Sequence, residues 1–229
     1  NPDRALSLAE ECVKRSKCAA SLATLGLALE KSNRINDAIE QYERAVRRDS
    51  NHFYAHASLG MLLFKVKRFE DSIKMFDRTI EISPPNDPTF YFAKALALEA
   101  ANRREEALLA YKTAIATDSN HYPSHMNLGH LLLNISPRDA ARYFEKASKY
   151  ASTPEKRLDA LYSLGDALFR NNDTKKHAVT VFGLLKALMM TSKYSSNNLT
   201  LDTVLICLGK SLKSVGRISE AIKMYISAI

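Results

Sequence analysis

His52 and His56 stand four residues apart, as do His121 and His125. On a helix that spacing turns both imidazoles to one face, an arrangement zinc uses for two of its ligands. No third ligand follows either pair and no glutamate lies between the histidines, so the metalloprotease pattern is absent. Both pairs follow the same tetrapeptide, Asp-Ser-Asn-His at 49–52 and at 118–121. That match points to a structural role where one unit of a repeat hands over to the next. Cys12, Cys18 and Cys207 fit no metal spacing and are too few for a disulfide framework, which implies a reducing compartment. Glu105-Glu106 falls at a helix start, where acids suit the helix dipole. The chain shows no nucleophile elbow, phosphate loop or dinucleotide fingerprint. We therefore expect no catalysis, no cofactor and no metal from these 229 residues.

Basic residues outnumber acidic ones by 33 to 25. Lys31, Arg34, Lys65, Lys67, Arg68, Arg103, Arg104, Arg138, Lys175, Lys176, Lys213 and Arg217 gather near short polar breaks in the apolar pattern. Such a rail would steer an acidic segment, although solvated turns and cations at helix ends account for the same residues. Nucleic-acid binding also needs exposed aromatics, and most aromatics here belong to a packing pattern instead. No apolar run reaches the length of a membrane span, and Asn1 to Ser16 lack the apolar core of a signal peptide. Triplets of the glycosylation type at Asn134, Asn172 and Asn198 are common by chance. A cytoplasmic location is expected, with nuclear as the alternative and a lumenal one less favoured.

What must position these groups is a repeating unit. Five of the seven glycines follow a leucine: Leu25-Gly26, Leu59-Gly60, Leu128-Gly129, Leu164-Gly165 and Leu208-Gly209. Lys94-Ala95 fills a sixth slot. A small–aromatic–small triad with four-then-three spacing tracks each pair: Ala38-Tyr42-Ala45, Ser72-Phe76-Thr79, Ala107-Tyr111-Ala114, Ala140-Phe144-Ala147, Ala178-Phe182-Leu185 and Ala221-Tyr225-Ala228. A period near 34 residues means stacked helical hairpins. In the first unit Leu22, Leu25, Gly26 and Leu29 form the stripe of one helix. Residues 32–36 break it, and Asn36 is the expected cap of a second helix over 37–48. Asp87-Pro88, Ser136-Pro137 and Thr153-Pro154 mark further helix starts.

This pattern resembles the tetratricopeptide repeat (TPR) family, in which an apolar residue and Leu-Gly are followed by Ala, an aromatic, Ala and often a closing Pro, here Pro84. The resemblance implies an all-α fold, a right-handed α-α superhelix (solenoid) of about six helix-turn-helix repeats. The expected units are 19–52, 53–86, 87–121, 122–153, 154–192 and 201–229, forming a single array over 19–229. A polar linker at 193–200 would be its mobile point, and residues 1–18 would be the end of a preceding repeat helix. Both ends look cut, as in a fragment of a longer protein.

The resemblance also implies a function in protein interaction, with first helices lining a concave groove that holds a peptide or helix of a partner subunit. Tyr54, Met61, Phe64, Lys65, Phe92, Leu96, Met126, Asn127, His130, Tyr162, Asp166 and Arg170 occupy groove slots, and the middle of that set is apolar. Heat-shock co-chaperones of the family grip a carboxylate with Lys and Asn where this chain has Ala23, Leu27, Ala57 and Met61, so that role is not expected. The O-linked N-acetylglucosamine transferase arm holds ligand backbone with an Asn before each Leu-Gly. Only Asn127 matches, beside Thr24, Ser58, Ala93, Ser163 and Cys207. Two alternatives remain: the substrate-recognition arm of a larger enzyme of that glycosyltransferase kind, and self-association through the array ends.

Overall fold

A computed structural model of the chain describes residues 2–82, 87–191 and 199–228. The regular structure there is a series of α-helices: α1 Pro2–Arg15, α2 Ala19–Lys31, α3 Ile35–Arg48, α4 Phe53–Lys65, α5 Phe69–Ile82, α6 Pro88–Ala100, α7 Arg104–Thr117, α8 Tyr122–Leu132, α9 Pro137–Tyr150, α10 Pro154–Arg170, α11 Lys175–Thr191, α12 Leu201–Ser214 and α13 Ile218–Ile226. They fall into two compact units, residues 1–118 and 119–229. Pro84 and the expected linker residues 193–198 lie outside the described residues.

In the first unit α1 packs on α2, and three hairpins follow: α2 with α3, α4 with α5, and α6 with α7. Each second helix also meets the next first helix, α3 on α4 and α5 on α6. The second unit pairs α8 with α9, α10 with α11 and α12 with α13, with α9 against α10 and α11 against α12.

The hairpins are held by the two sequence signals acting on each other. A Cβ built on Gly26 would come within 2.9 Å of the Tyr42 ring, on Gly60 within 3.0 Å of Phe76, and on Gly129 within 2.6 Å of Phe144. On Gly165 and Gly209 it would come within 2.7 Å of Phe182 and Tyr225. The glycine of each first helix is thus the seat of the aromatic on its second helix. Tyr42, Phe76, Tyr111, Phe144 and Phe182 are buried, together with the small residues that flank them. Removing one such ring from water contributes roughly 4–6 kcal/mol by area, an upper value. In the third hairpin Ala95 is itself buried, so that pair of helices leaves room for one methyl opposite Tyr111.

Four hairpins turn in the same way. Asn33, Lys67, Asn102 and Gly216 have φ of +59°, +63°, +61° and +82°. The amide after each donates back to the first helix: Arg34 to Leu29, Arg68 to Leu63, Arg103 to Leu98 and Arg217 to Leu212. This is the Schellman closure, and it satisfies carbonyls that the helix end leaves open. It also moves the start of the next helix. Asn36 was the expected cap, yet α3 begins at Ile35 with Arg34 as N-cap, which places Asn36 inside the helix. The left-handed residue at 33 completes the reversal earlier than the polar run suggests. Asp87 does cap α6 through Thr89 N (2.8 Å), and Thr153 caps α10 through Lys156 N (3.3 Å). Ser136 precedes α9, but its hydroxyl donates to Asp139 rather than capping.

Candidate protein-interaction surfaces

In the first unit α2, α4 and α6 are neighbours, α4 touching both of the others. Tyr54 and Met61 lie seven residues apart on α4, hence on one face, and are 45% and 50% exposed. Phe64, half-buried, closes the same helix with its ring 5.7 Å from Phe69. Lys65 reaches across to Glu30 of α2. On α6, Phe92 and Leu96 are half-buried, and the Phe92 ring stands 5.9 Å from Tyr111. The six expected residues of this unit therefore sit on two adjacent first helices. Tyr54 and Met61 project furthest into solvent.

In the second unit Met126, Asn127, His130 and Tyr162 border one depression of about 480 Å³, with Tyr122, Asp159 and Leu199 also on its wall. Met126 does not stand out into solvent as the groove pattern implied. It is 9% exposed and belongs to the core cluster around Phe144 and Phe182, so it forms the floor. The exposed His130 lies with its ring 4.9 Å from Phe144. Tyr162 is held 3.8 Å from Cys207 Sγ, and its phenol is pushed up to about 12 by burial, with the Cys207 contact adding to it. Asp166 and Arg170 pair with each other at 2.9 Å, and Arg170 also donates to Asn134 at 2.9 Å. That engagement leaves the pair close to neutral as a surface.

The histidine pairs have other work. His52 Nδ1 accepts from Ala55 N at 3.1 Å and so caps α4. The buried His56 points Nε2 at Ser50 O, 3.1 Å away. In the second unit His125, fully buried, points Nε2 at Ser119 O at 2.8 Å. His121 Nδ1 lies 2.7 Å from Ser124 Oγ. Burial holds His56 below the usual imidazole range. The repeated tetrapeptide is thus a loop whose serine carbonyl is tied down by the histidine one helical turn onward. Among the described residues no three His, Cys, Asp or Glu side chains come together as a metal site.

Five of the twelve basic turn residues pair with acids: Lys65 with Glu30, and four arginines with the acid three residues on. Each left-handed turn residue is followed by Arg-x-x-Asp/Glu: Arg34 pairs with Asp37 (2.6 Å), Arg68 with Asp71 (2.8 Å), Arg103 with Glu106 (2.7 Å) and Arg217 with Glu220 (2.6 Å). Arg103 also reaches Glu70 at 2.9 Å. The arginine hydrogen bonds hold Asp71, Glu106 and Glu220 below the usual carboxylate range. These pairs are exposed and contribute little stability each, but they offset four cations of the rail. The i, i+3 spacing of opposite charges was the signal that predicts them. Net charge instead separates by unit. Residues 1–118 hold 18 basic and 17 acidic side chains, and residues 119–229 hold 15 and 8.

No helix among the described residues is long and apolar enough to cross a membrane. A search of curated proteins finds no relative by sequence. Solved structures share the fold. MamA from Desulfovibrio magneticus RS-1, residues 41 to the end, is 22% identical with a TM-score of 0.61, over 65% of this chain and 85% of that one. YrrB, described as a TPR protein with an unusual peptide-binding site, is 16% identical with a TM-score of 0.65, over 80% and 92%. Pseudomonas aeruginosa PilF is 16% identical with a TM-score of 0.64, over 94% and 90%. The tetratricopeptide repeat model matches residues 23–87, 58–123 and 136–182, which is more than half of the chain and includes the Gly26–Tyr42, Gly60–Phe76 and Gly165–Phe182 contacts, so this chain belongs to the tetratricopeptide repeat family.

Proposed function

We propose that the chain is a protein-interaction scaffold whose first helices hold a peptide or helix from a subunit of a partner complex. The observation that carries this reading is the solvent-facing pair Tyr54 and Met61 on one face of α4, with Phe92 and Leu96 on α6 beside it. Large apolar side chains kept in the open at regular helical spacing suit an apolar stripe on a partner. Met61 adds an adaptable surface. In the second unit, Asn127, His130 and Tyr162 around the Met126 floor offer a smaller apolar depression with polar edges. YrrB supplies a precedent for peptide binding on this fold.

The test is capture of partners from cell extract with wild type and with Met61→Glu/Phe92→Glu, after matched helicity and melting are confirmed. Partners lost only from the variant support the reading. Identical partner sets remove function from α4 and α6.

A second reading is self-association through the apolar face of α13. Ile218, Ile222 and Ile226 line one face and are 50%, 52% and 67% exposed. In the first unit the slot of Ile222 holds Ile39 and Ile73, 8% and 4% exposed beneath the following helix. Sedimentation of wild type and Ile222→Glu across a concentration series decides it. A monomer at every concentration rejects self-association.

A further inference from the structure

The second unit carries a depression of about 400 Å³ that none of the interaction residues above touches. It lies between the Ala151–Thr153 connection, the first turns of α10 and the middle of α11, with Leu158, Leu184, Leu188 and Arg157 on its walls. Leu184 is 48% exposed although α11 has ample core to pack against, and Leu188 follows it one turn later on the same face. Leu158, 3% exposed, forms the apolar base.

The electrostatics around it are one-sided. Arg157 is exposed and makes no ion pair among the described residues, unlike Arg34, Arg68, Arg103 and Arg217, each of which holds an acid. α11 contains Lys175, Lys176 and Lys186 and no acidic residue. The positive end of α10, a helix of 17 residues, borders the depression, with Pro154 in its first turn. The acids nearest in sequence, Glu155 and Asp159, are not on the wall, and each lies about 200° around the helix from Arg157. The excess of basic side chains in this unit, 15 against 8, adds a long-range field of the same sign.

We propose that this depression is a second docking site, which takes an extended acidic segment of a partner protein. One apolar side chain of the segment rests on Leu184 and Leu188, and a neighbouring carboxylate pairs with Arg157. Three features select this occupant. The concavity is at the small end of ligand pockets, suited to one or two side chains rather than to a whole helix. Its walls carry no aromatic on which bases would stack, which sets nucleic acid aside. A recessed apolar base with a cation at its rim also fits a side chain and carboxylate better than a flat lipid surface. The inference stands apart from the α4 and α6 reading and does not depend on it.

The probe is a fluorescein-labelled octapeptide alternating glutamate and leucine, followed by anisotropy at low and physiological salt. A glutamine-for-glutamate version and phosphatidylserine vesicles serve as comparisons. Wild type should bind the acidic peptide saturably, with binding that weakens as salt rises. Arg157→Glu and Leu184→Glu should each weaken it about tenfold, as should the glutamine version, while Met61→Glu leaves it unchanged. Arg157 and Leu184 are both exposed, so the variants should keep wild-type helicity, and Arg157→Gln replaces the reversal if it does not. Absence of saturable binding overturns the proposal, as does equal binding by both site variants. Loss in Met61→Glu alone assigns the peptide to α4 and also overturns it. Vesicle binding without peptide binding replaces the proposal with a membrane surface.

Discussion

Gly129→Ala tests the packing rule on which the whole array is built. The added methyl would meet the Phe144 ring at 2.6 Å, and Phe144 is fully buried, so the ring has no open space into which to swing. Overpacking of this kind costs about 1–3 kcal/mol. Alanine in mid-helix returns about 0.5–1 kcal/mol relative to glycine, which leaves a net loss of roughly 0–2.5 kcal/mol, centred at about 1.5 kcal/mol for so close a contact. Gly60→Ala meets Phe76 at 3.0 Å, a contact relieved by a few tenths of an ångström, and should fall between neutral and about 1 kcal/mol destabilised. Gly183→Ala is the control. A Cβ there meets nothing within 4 Å, so only the helix term remains and the protein should gain about 0.5–1 kcal/mol. Urea unfolding followed by circular dichroism orders the three. With a slope of about 3 kcal/mol/M, Gly129→Ala should lower the midpoint by roughly 0.5 M and Gly183→Ala should raise it slightly. A stabilised Gly129→Ala, or a Gly60→Ala worse than it, would refute the seat-and-ring account.

Lys67 holds φ +63° where its counterparts are Asn33, Asn102 and Gly216, so Lys67→Gly should raise stability by about 0.5–1 kcal/mol in the same assay; a loss would show that the lysine side chain matters more than the backbone. His56 has its pKa lowered chiefly by burial, so the unfolded chain binds the proton more readily. Its contribution to stability is full above the ordinary imidazole pKa and falls away as pH drops through that value toward the lower folded one. The midpoint difference between wild type and His56→Gln should therefore shrink from pH 8 to pH 5, and a growing difference contradicts the assignment. Cys18 caps α2, and its pKa is lowered to about 7, first by the Ser21 hydroxyl and then by the Ser21 amide. Its alkylation rate should rise with a midpoint near pH 7, and a midpoint near 9 would place the thiol outside the cap.

Much of the fold was legible because the residues that encode it act in pairs at fixed distance. Leu-Gly and the aromatic triad are the two halves of one contact, so finding both at one period located each hairpin. The turns were less legible. Asn36 had the chemistry of a cap, but the chain reversed earlier through a left-handed Asn33, a choice made by backbone closure rather than by composition. Asp87-Pro88 and Thr153-Pro154 marked helix starts at which the side chain does cap, whereas Ser136, before the same kind of first-turn proline, turns to Asp139 instead. The candidate site was legible only in part. Slot counting placed Tyr54 and Met61 on an open face, but slot position says nothing about what packs above a residue, and Met126 proved to be floor. The basic rail is partly offset for a simpler reason: the Arg-x-x-acid spacing that pairs four of its arginines was in the sequence from the start. The apolar recess beside Arg157 was not legible, since Thr153, Arg157 and Leu184 come together only once α10 and α11 have packed.

The central claim, that α4 presents a partner-binding face, is tested most directly by a photo-crosslinking amino acid placed at Met61 and, separately, at Lys74 on the exposed side of α5. Cross-linking in cells followed by mass spectrometry should yield a discrete partner from position 61 and none of it from position 74. The same partner from both positions, or a partner from 74 alone, would contradict the account and move the interaction to the second helices.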